Sequence, residues 1–237
     1  MIKIIDVSKS FESSEGQIQA LKNISFQIED GQLLIIAGEN GSGKSLLMSI
    51  IAGLEEAESG RVESDKKVGL VFQEAETQIL GESPREDIAV GPKNLGWKKE
   101  KIAEAVESAL EKTGLTKKAD FSARFLSGGE KRRLAIACMI AMDLPVIILD
   151  EPFANLDYMG VKQVNALVKK LKDEGRTVII LTHEIEKCLA LADKFIILFR
   201  GQKVFEGSPE EGLKLNLEKY NIKNPLTEYK KLSDLIW

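Results

Sequence analysis

Gly38-Glu39-Asn40-Gly41-Ser42-Gly43-Lys44-Ser45 follows the continuous apolar run Leu33 to Ala37 and precedes the helical pattern Leu46 to Leu54. The octet fits GxxxxGK[ST] at every fixed position, in the strand-turn-helix context that a phosphate-binding loop requires. Its glycines let backbone N–H groups close around the β- and γ-phosphates of a nucleotide, the helix N-terminus adds a favourable dipole, and Lys44 supplies a point charge. Ser45 is placed to ligate Mg²⁺. The candidate nucleotide-binding set is therefore Gly38, Asn40, Gly41, Ser42, Gly43, Lys44 and Ser45. A Gly-rich turn without a ligand would have no packing reason to be followed by Lys44-Ser45.

Outward from this loop, β-type runs at Ile2 to Val7, Ile24 to Ile28, Leu33 to Ala37, Val68 to Phe72, Val146 to Leu149, Thr177 to Leu181 and Phe195 to Phe199 punctuate the chain. Leu33-Leu34-Ile35-Ile36, Val146-Ile147-Ile148-Leu149 and Val178-Ile179-Ile180-Leu181 read as central strands of a parallel sheet covered on both faces. Helical patterns lie between them. Ile102, Val106, Ala109 and Leu110 share a face before Gly114, as do Val161, Val164, Leu167, Val168 and Leu171 before Gly175. The fold class is α/β. Residues from about 74 to 142 contain no clear strand and read as an inserted helical lobe, and Phe195 to Phe199 with Lys203 to Phe205 read as a hairpin. The expected division is a nucleotide-binding domain over 1–207 and a helical extension over 208–237, whose apolar residues include Leu213, Leu217, Tyr220, Ile222, Leu226, Tyr229, Leu232, Leu235, Ile236 and Trp237.

Val146 to Leu149 runs into Asp150-Glu151-Pro152, which places two carboxylates at the C-terminal edge of the sheet, where ligands of parallel sheets bind. Asp150 is the candidate Mg²⁺ carboxylate, held directly or through water. Glu151, one residue on and pointing elsewhere, suits the activation of an attacking water.

The chain has 237 residues with 43% hydrophobic and 30% charged content, which excludes disordered and collagen-like readings. Lys+Arg of 33 against Asp+Glu of 37 gives a net charge of −4, with no footprint for general nucleic-acid binding. Cys138 and Cys188 form no CxxC pair, and His183 is the single histidine, so no His-cluster metal site is expected. The longest apolar run, Leu134 to Met142, is far short of the roughly 20 residues a membrane span needs. Met1 to Val7 lacks a long apolar region with a cleavage site and reads as a first strand, so no export is expected.

Leu126-Ser127-Gly128-Gly129-Glu130-Lys131-Arg132-Arg133 resembles the LSGG-type signature of ATP-binding cassette (ABC) ATPases. Read physically, Ser127, Gly128 and Gly129 open a helix reaching about Met142 and create a second N–H-rich anion site. The resemblance implies a P-loop NTPase core with a mainly parallel sheet, an antiparallel β subdomain and an inserted helical lobe. It also implies a head-to-tail dimer, alike or unequal, in which each signature caps the ATP held on the other subunit's loop. Gln73 resembles the Q-loop glutamine that ligates Mg²⁺, Asp157 the D-loop residue that reaches the opposite subunit, and His183 the histidine that bonds the γ-phosphate and keeps Glu151 in register. Phe11 resembles the aromatic that stacks on adenine, with a core Phe as the alternative.

Glu86-Asp87-Ile88-Ala89-Val90-Gly91-Pro92-Lys93-Asn94-Leu95-Gly96, and Gln73 to Leu80 with its second glutamine Gln78, resemble the energy-coupling-factor ATPases of cobalt and vitamin uptake. That resemblance implies a peripheral subunit on the cytoplasmic face of the membrane, working with an integral coupling protein and a separate substrate-binding membrane subunit. Glu130 stands where the family usually has Gln, Ala75 where many members have Pro, and Asn155 and Tyr158 depart from the frequent residues around the D-loop. Another ABC importer or exporter is the near alternative. A cassette ATPase of chromosome maintenance is disfavoured by the absence of heptads, and a purely regulatory nucleotide-binding module by the intact Glu151 and His183.

Overall fold

The aliphatic runs that read as central strands form the middle of a six-stranded sheet in the computed structural model, which describes residues 1–14 and 16–227. β3 (Leu33–Ala37), β6 (Val146–Asp150) and β7 (Thr177–Thr182) are buried at every position. With β5 (Val68–Val71), β8 (Lys194–Phe199) and β9 (Gln202–Gly207) the order is β5-β6-β7-β3-β8-β9, parallel except for the closing β8-β9 hairpin. Alternation then divides each strand between two cores. Leu33, Ile35, Ile147, Leu149, Val178 and Ile180 face a cluster shared with α4 (Gly128–Ala141) and α5 (Tyr158–Asp173). Leu34, Ile36, Ile148, Ile179 and Leu181 face α1 (Lys44–Ile51) and a second sheet.

That second sheet is antiparallel, ordered β2-β1-β4, from β1 (Ile2–Ser13), β2 (Gly16–Ile28) and β4 (Ser59–Glu63). Its first two strands run well past the apolar runs that mark them in the sequence, because their outer halves are polar ribbon paired only with each other. β4 has no apolar signal beyond Val62; it is an edge strand set by its ladder to β1, Lys3 opposite Glu63 and Ile5 opposite Arg61. α1 begins at Lys44 and ends at Ile51, short of the expected Leu54, since Gly53 turns the chain at φ 72°.

Between β5 and β6 every element is helical: α2 (Pro84–Asn94), α3 (Lys99–Thr113) and α4, with 3₁₀ turns at Ala75–Gln78, Thr116–Lys118 and Ala123–Phe125. Ser83 caps α2 ahead of Pro84, and Gly114 closes α3 in the left-handed region. Ile88, Val106, Leu110 and Leu134 of this lobe are continuous with the sheet's core. Beyond β9, the described part of the expected helical extension, residues 208–227, contains a short α6 (Pro209–Gly212) and a 3₁₀ turn at Leu217–Tyr220. The turn ends where Asn221 takes a left-handed φ of 56°. Leu217 and Ile222 are buried in the main core, whereas Tyr229, Leu232, Leu235, Ile236 and Trp237 lie outside the described residues.

Candidate active site

The C-terminal ends of β3, β6 and β7 are neighbours, so the loop at 38–45, Asp150-Glu151 and Thr182-His183 converge on one sheet edge. Two glycines of the loop are sterically fixed. A Cβ on Gly38 would stand 2.3 Å from the Leu198 carbonyl oxygen, and one on Gly43, at φ 98°, would stand 2.7 Å from Leu21. Gly201 N–H donates to the Ser42 carbonyl at 3.1 Å, which ties the loop to the β8-β9 turn. Lys44 is buried and its Nζ donates to the carbonyls of Gly38 (2.7 Å) and Glu39 (3.1 Å). Burial pushes its ammonium pKa down, while Glu151, Asp150 and Glu39 favour the charged form.

Glu151 is 4% exposed and has a φ of 44°, a conformation rare for a residue with a side chain. The turn is held because Glu151 N–H donates to Leu181 O at 2.9 Å. Its carboxylate is clamped on both oxygens, by the Thr182 hydroxyl at 3.0 Å and by His183 Nδ1 at 2.9 Å, and lies 3.9 Å from Lys44 Nζ. Asp150 is buried as well. Desolvation raises its carboxyl above the ordinary range against a hydrogen bond from Ser45, and its Oδ1 has no protein partner. An unpaired buried carboxylate oxygen beside a hydroxyl is an all-oxygen donor set that suits a hard divalent cation.

Gln73 is exposed just past the end of β5, on the stretch leading into the helical lobe. Gln78 has a structural job: its amide accepts from Phe72 N–H (2.8 Å) and donates to Leu70 O (3.0 Å), finishing the β5 strand end. Ser127 and Glu130 form a capping box at the start of α4, with Ser127 Oγ accepting from Glu130 N–H and Glu130 Oε2 accepting from Ser127 N–H. Glu130 therefore performs the reciprocal cap that Gln at that place also could. Asp157 caps α5 by accepting from Gly160 N–H at 2.7 Å. Ser127, Gly128, Gly129 and Asp157 line one open cleft of about 420 Å³, which contains no residue of the 38–45 loop. Phe11 is 44% exposed on β1, with Lys9 Nζ 5.6 Å from its ring centre, so it is no core residue. Thr182 and Arg132 are the site neighbours to which sequence reasoning gave no role; a hydroxyl closing an aliphatic strand, and a cation four residues before the buried Ile136 on a helix, were the available signals.

A cradle for phosphate around Lys44 with a clamped carboxylate on its far side defines the class as a P-loop nucleoside triphosphatase. More narrowly, the chain belongs to the ABC transporter family, whose model matches residues 21–154. It is similar to the energy-coupling factor transporter ATP-binding protein EcfA1 of Caldanaerobacter subterraneus, with 42% identity over 223 residues, 86% of this chain and 80% of the relative. Among solved structures it resembles cbiO1 from Clostridium perfringens, described as part of the ABC transporter complex cbiONQ, with TM-score 0.81 and 32% identity over 93% of this chain and 94% of that one. A dimeric ATP-binding cassette in a post-hydrolysis state with ADP and Pi matches with TM-score 0.80 and 28% identity, over 88% and 99% of the two chains. The chain is an ATP-binding, ATP-hydrolysing transporter subunit.

Proposed function

We propose that this protein powers an energy-coupling-factor uptake transporter, hydrolysing ATP to ADP and phosphate as one half of an ATPase dimer. The observation that carries the ATPase mechanism is the clamped Glu151, held by Thr182 and His183 and 3.9 Å from Lys44. Lys44 and the amides of the 38–45 loop bind the β- and γ-phosphates. Glu151 accepts the proton of the attacking water, and His183 fixes its carboxylate and reaches the γ-phosphate. Ser45, Asp150 and Gln73 would hold Mg²⁺, which when bound neutralises phosphate charge. Phe11 stacks on the adenine.

The dimer reading is supported by the separate cleft of Ser127, Gly128, Gly129 and Asp157, an N–H-rich helix start with no phosphate loop of its own chain beside it. An apolar groove of about 780 Å³ between α1, β5 and α4, lined by Leu54, Phe72, Met139 and Met142 beside Gln78, suits an integral coupling subunit. No helix among the described residues is long and apolar enough to cross a membrane; likeness to energy-coupling factor ATP-binding proteins supports a peripheral place on the cytoplasmic face, with membrane passage carried by partners. We assign residues 1–207 to the ATPase domain, with the helical lobe at about 74–142, and 208–237 to a C-terminal extension, of which Leu217 and Ile222 are buried in the main core.

Glu151→Gln tests the mechanism. It should bind ATP with parental affinity, lose hydrolysis by roughly 10²-fold or more, and accumulate as an ATP-bound dimer on size exclusion. Hydrolysis at the parental rate would remove Glu151 from its role.

A further inference from the structure

Arg132 sits one turn into α4, four residues past Gly128, and is only 5% exposed. Its Nη1 donates at 2.8 Å to the carbonyl of Phe72, the residue before Gln73. Its Nε is buried with no partner, as is Asp150 Oδ1. Burial works against the guanidinium charge, and Asp150 and Glu151 are the two groups that favour it. A buried cation of this kind is a poor way to gain stability, since an apolar side chain of similar volume usually serves as well or better. Its planar fork instead allows one side chain to hold several acceptors in fixed relation.

We propose that Arg132 is a positioning residue for ATP hydrolysis, joining the helix that begins with Ser127-Gly128-Gly129 to the strand end before Gln73 through its bond to the Phe72 carbonyl. α4 spans the lobe from its exposed cap to its contact with the sheet, so a shift of the lobe displaces Arg132, and with it the Phe72 carbonyl and the chain at Gln73. The inference rests on the roles proposed above for Gln73, Asp150 and Glu151.

The test compares the full-length parent with Arg132→Met and Arg132→Lys in steady-state hydrolysis, ATP-analogue binding, thermal unfolding and hydrogen exchange of amides 72–78. In Arg132→Met, kcat falls about tenfold or more, as expected for a misplaced reacting group. KM and analogue affinity stay within about twofold of the parent, and exchange at 72–78 quickens. Arg132→Lys, which keeps the charge but loses the fork, recovers part of kcat. Should Arg132→Met not fold, Arg132→Lys decides alone: reduced kcat with parental affinity and unfolding temperature supports the proposal, and parental kcat overturns it. Parental kcat in a folded Arg132→Met overturns it too, as does a loss in which affinity and unfolding temperature fall in step with kcat. Failure of the underlying site reading shows separately, as parental hydrolysis by Glu151→Gln.

Discussion

Lys44 spends its hydrogen bonds on the carbonyls of Gly38 and Glu39 while its charge is countered by Glu151, Asp150 and Glu39. Removing it would strip the proposed charge-assisted contact to phosphate, worth about 1.5–3 kcal/mol. Lys44→Ala is therefore expected to weaken ATP binding at least about tenfold, measured by titration with a fluorescent analogue. Thr182→Val keeps the shape of β7 but leaves Glu151 Oε2 without its donor, so kcat should fall while ATP affinity holds. The thiols offer a check of a different kind. Burial raises the pKa of both Cys138 and Cys188, with the Asp87 carboxylate adding to the shift at Cys138. A raised thiol pKa means less thiolate at neutral pH, so iodoacetamide should label neither cysteine in the native protein and both after denaturation, read by mass spectrometry.

Elements carry the geometry that these side chains use. The capping box of α4 joins Ser127 and Glu130 reciprocally, and Ser127→Ala should cost about 1 kcal/mol of stability, seen in urea unfolding. Gly38→Ala drives a methyl into the Leu198 carbonyl, displacing the turn from β8, and should lose both stability and nucleotide affinity. The strands that hold the site were legible because β3, β6 and β7 are buried on both faces and so write themselves as unbroken Ile/Leu/Val runs. β4 was not, since Ser59, Gly60, Arg61 and Glu63 owe their conformation to β1 rather than to burial. The same distinction separates Glu151, marked by its motif, from Thr182 and Arg132, whose importance arises only when distant segments meet.

Taken as a whole molecule, the sheet and the helical lobe share one core, and the segment after β9 is part of it through Leu217 and Ile222. Asn221 also donates to Glu39 Oε2 at 2.6 Å, a bond between the C-terminal segment and the phosphate loop. A chain ended after Gly207 forfeits the burial of both aliphatic side chains, roughly 1.5–3 kcal/mol each as an upper bound. Its urea midpoint should drop accordingly. The helical character read across 208–237 reflected its charge-interspersed leucines; within its described part, docking on the core is what orders Leu213 to Ile222.

Phe11 stands on the antiparallel sheet, whereas Lys44, Asp150, Glu151 and His183 gather at the edge of the other. On the stacking role proposed for Phe11, base contact and phosphate chemistry are carried by separate sheets, so substitutions in the polar outer half of the β1-β2 ribbon should alter nucleobase preference and leave the residues at the other sheet's edge in place.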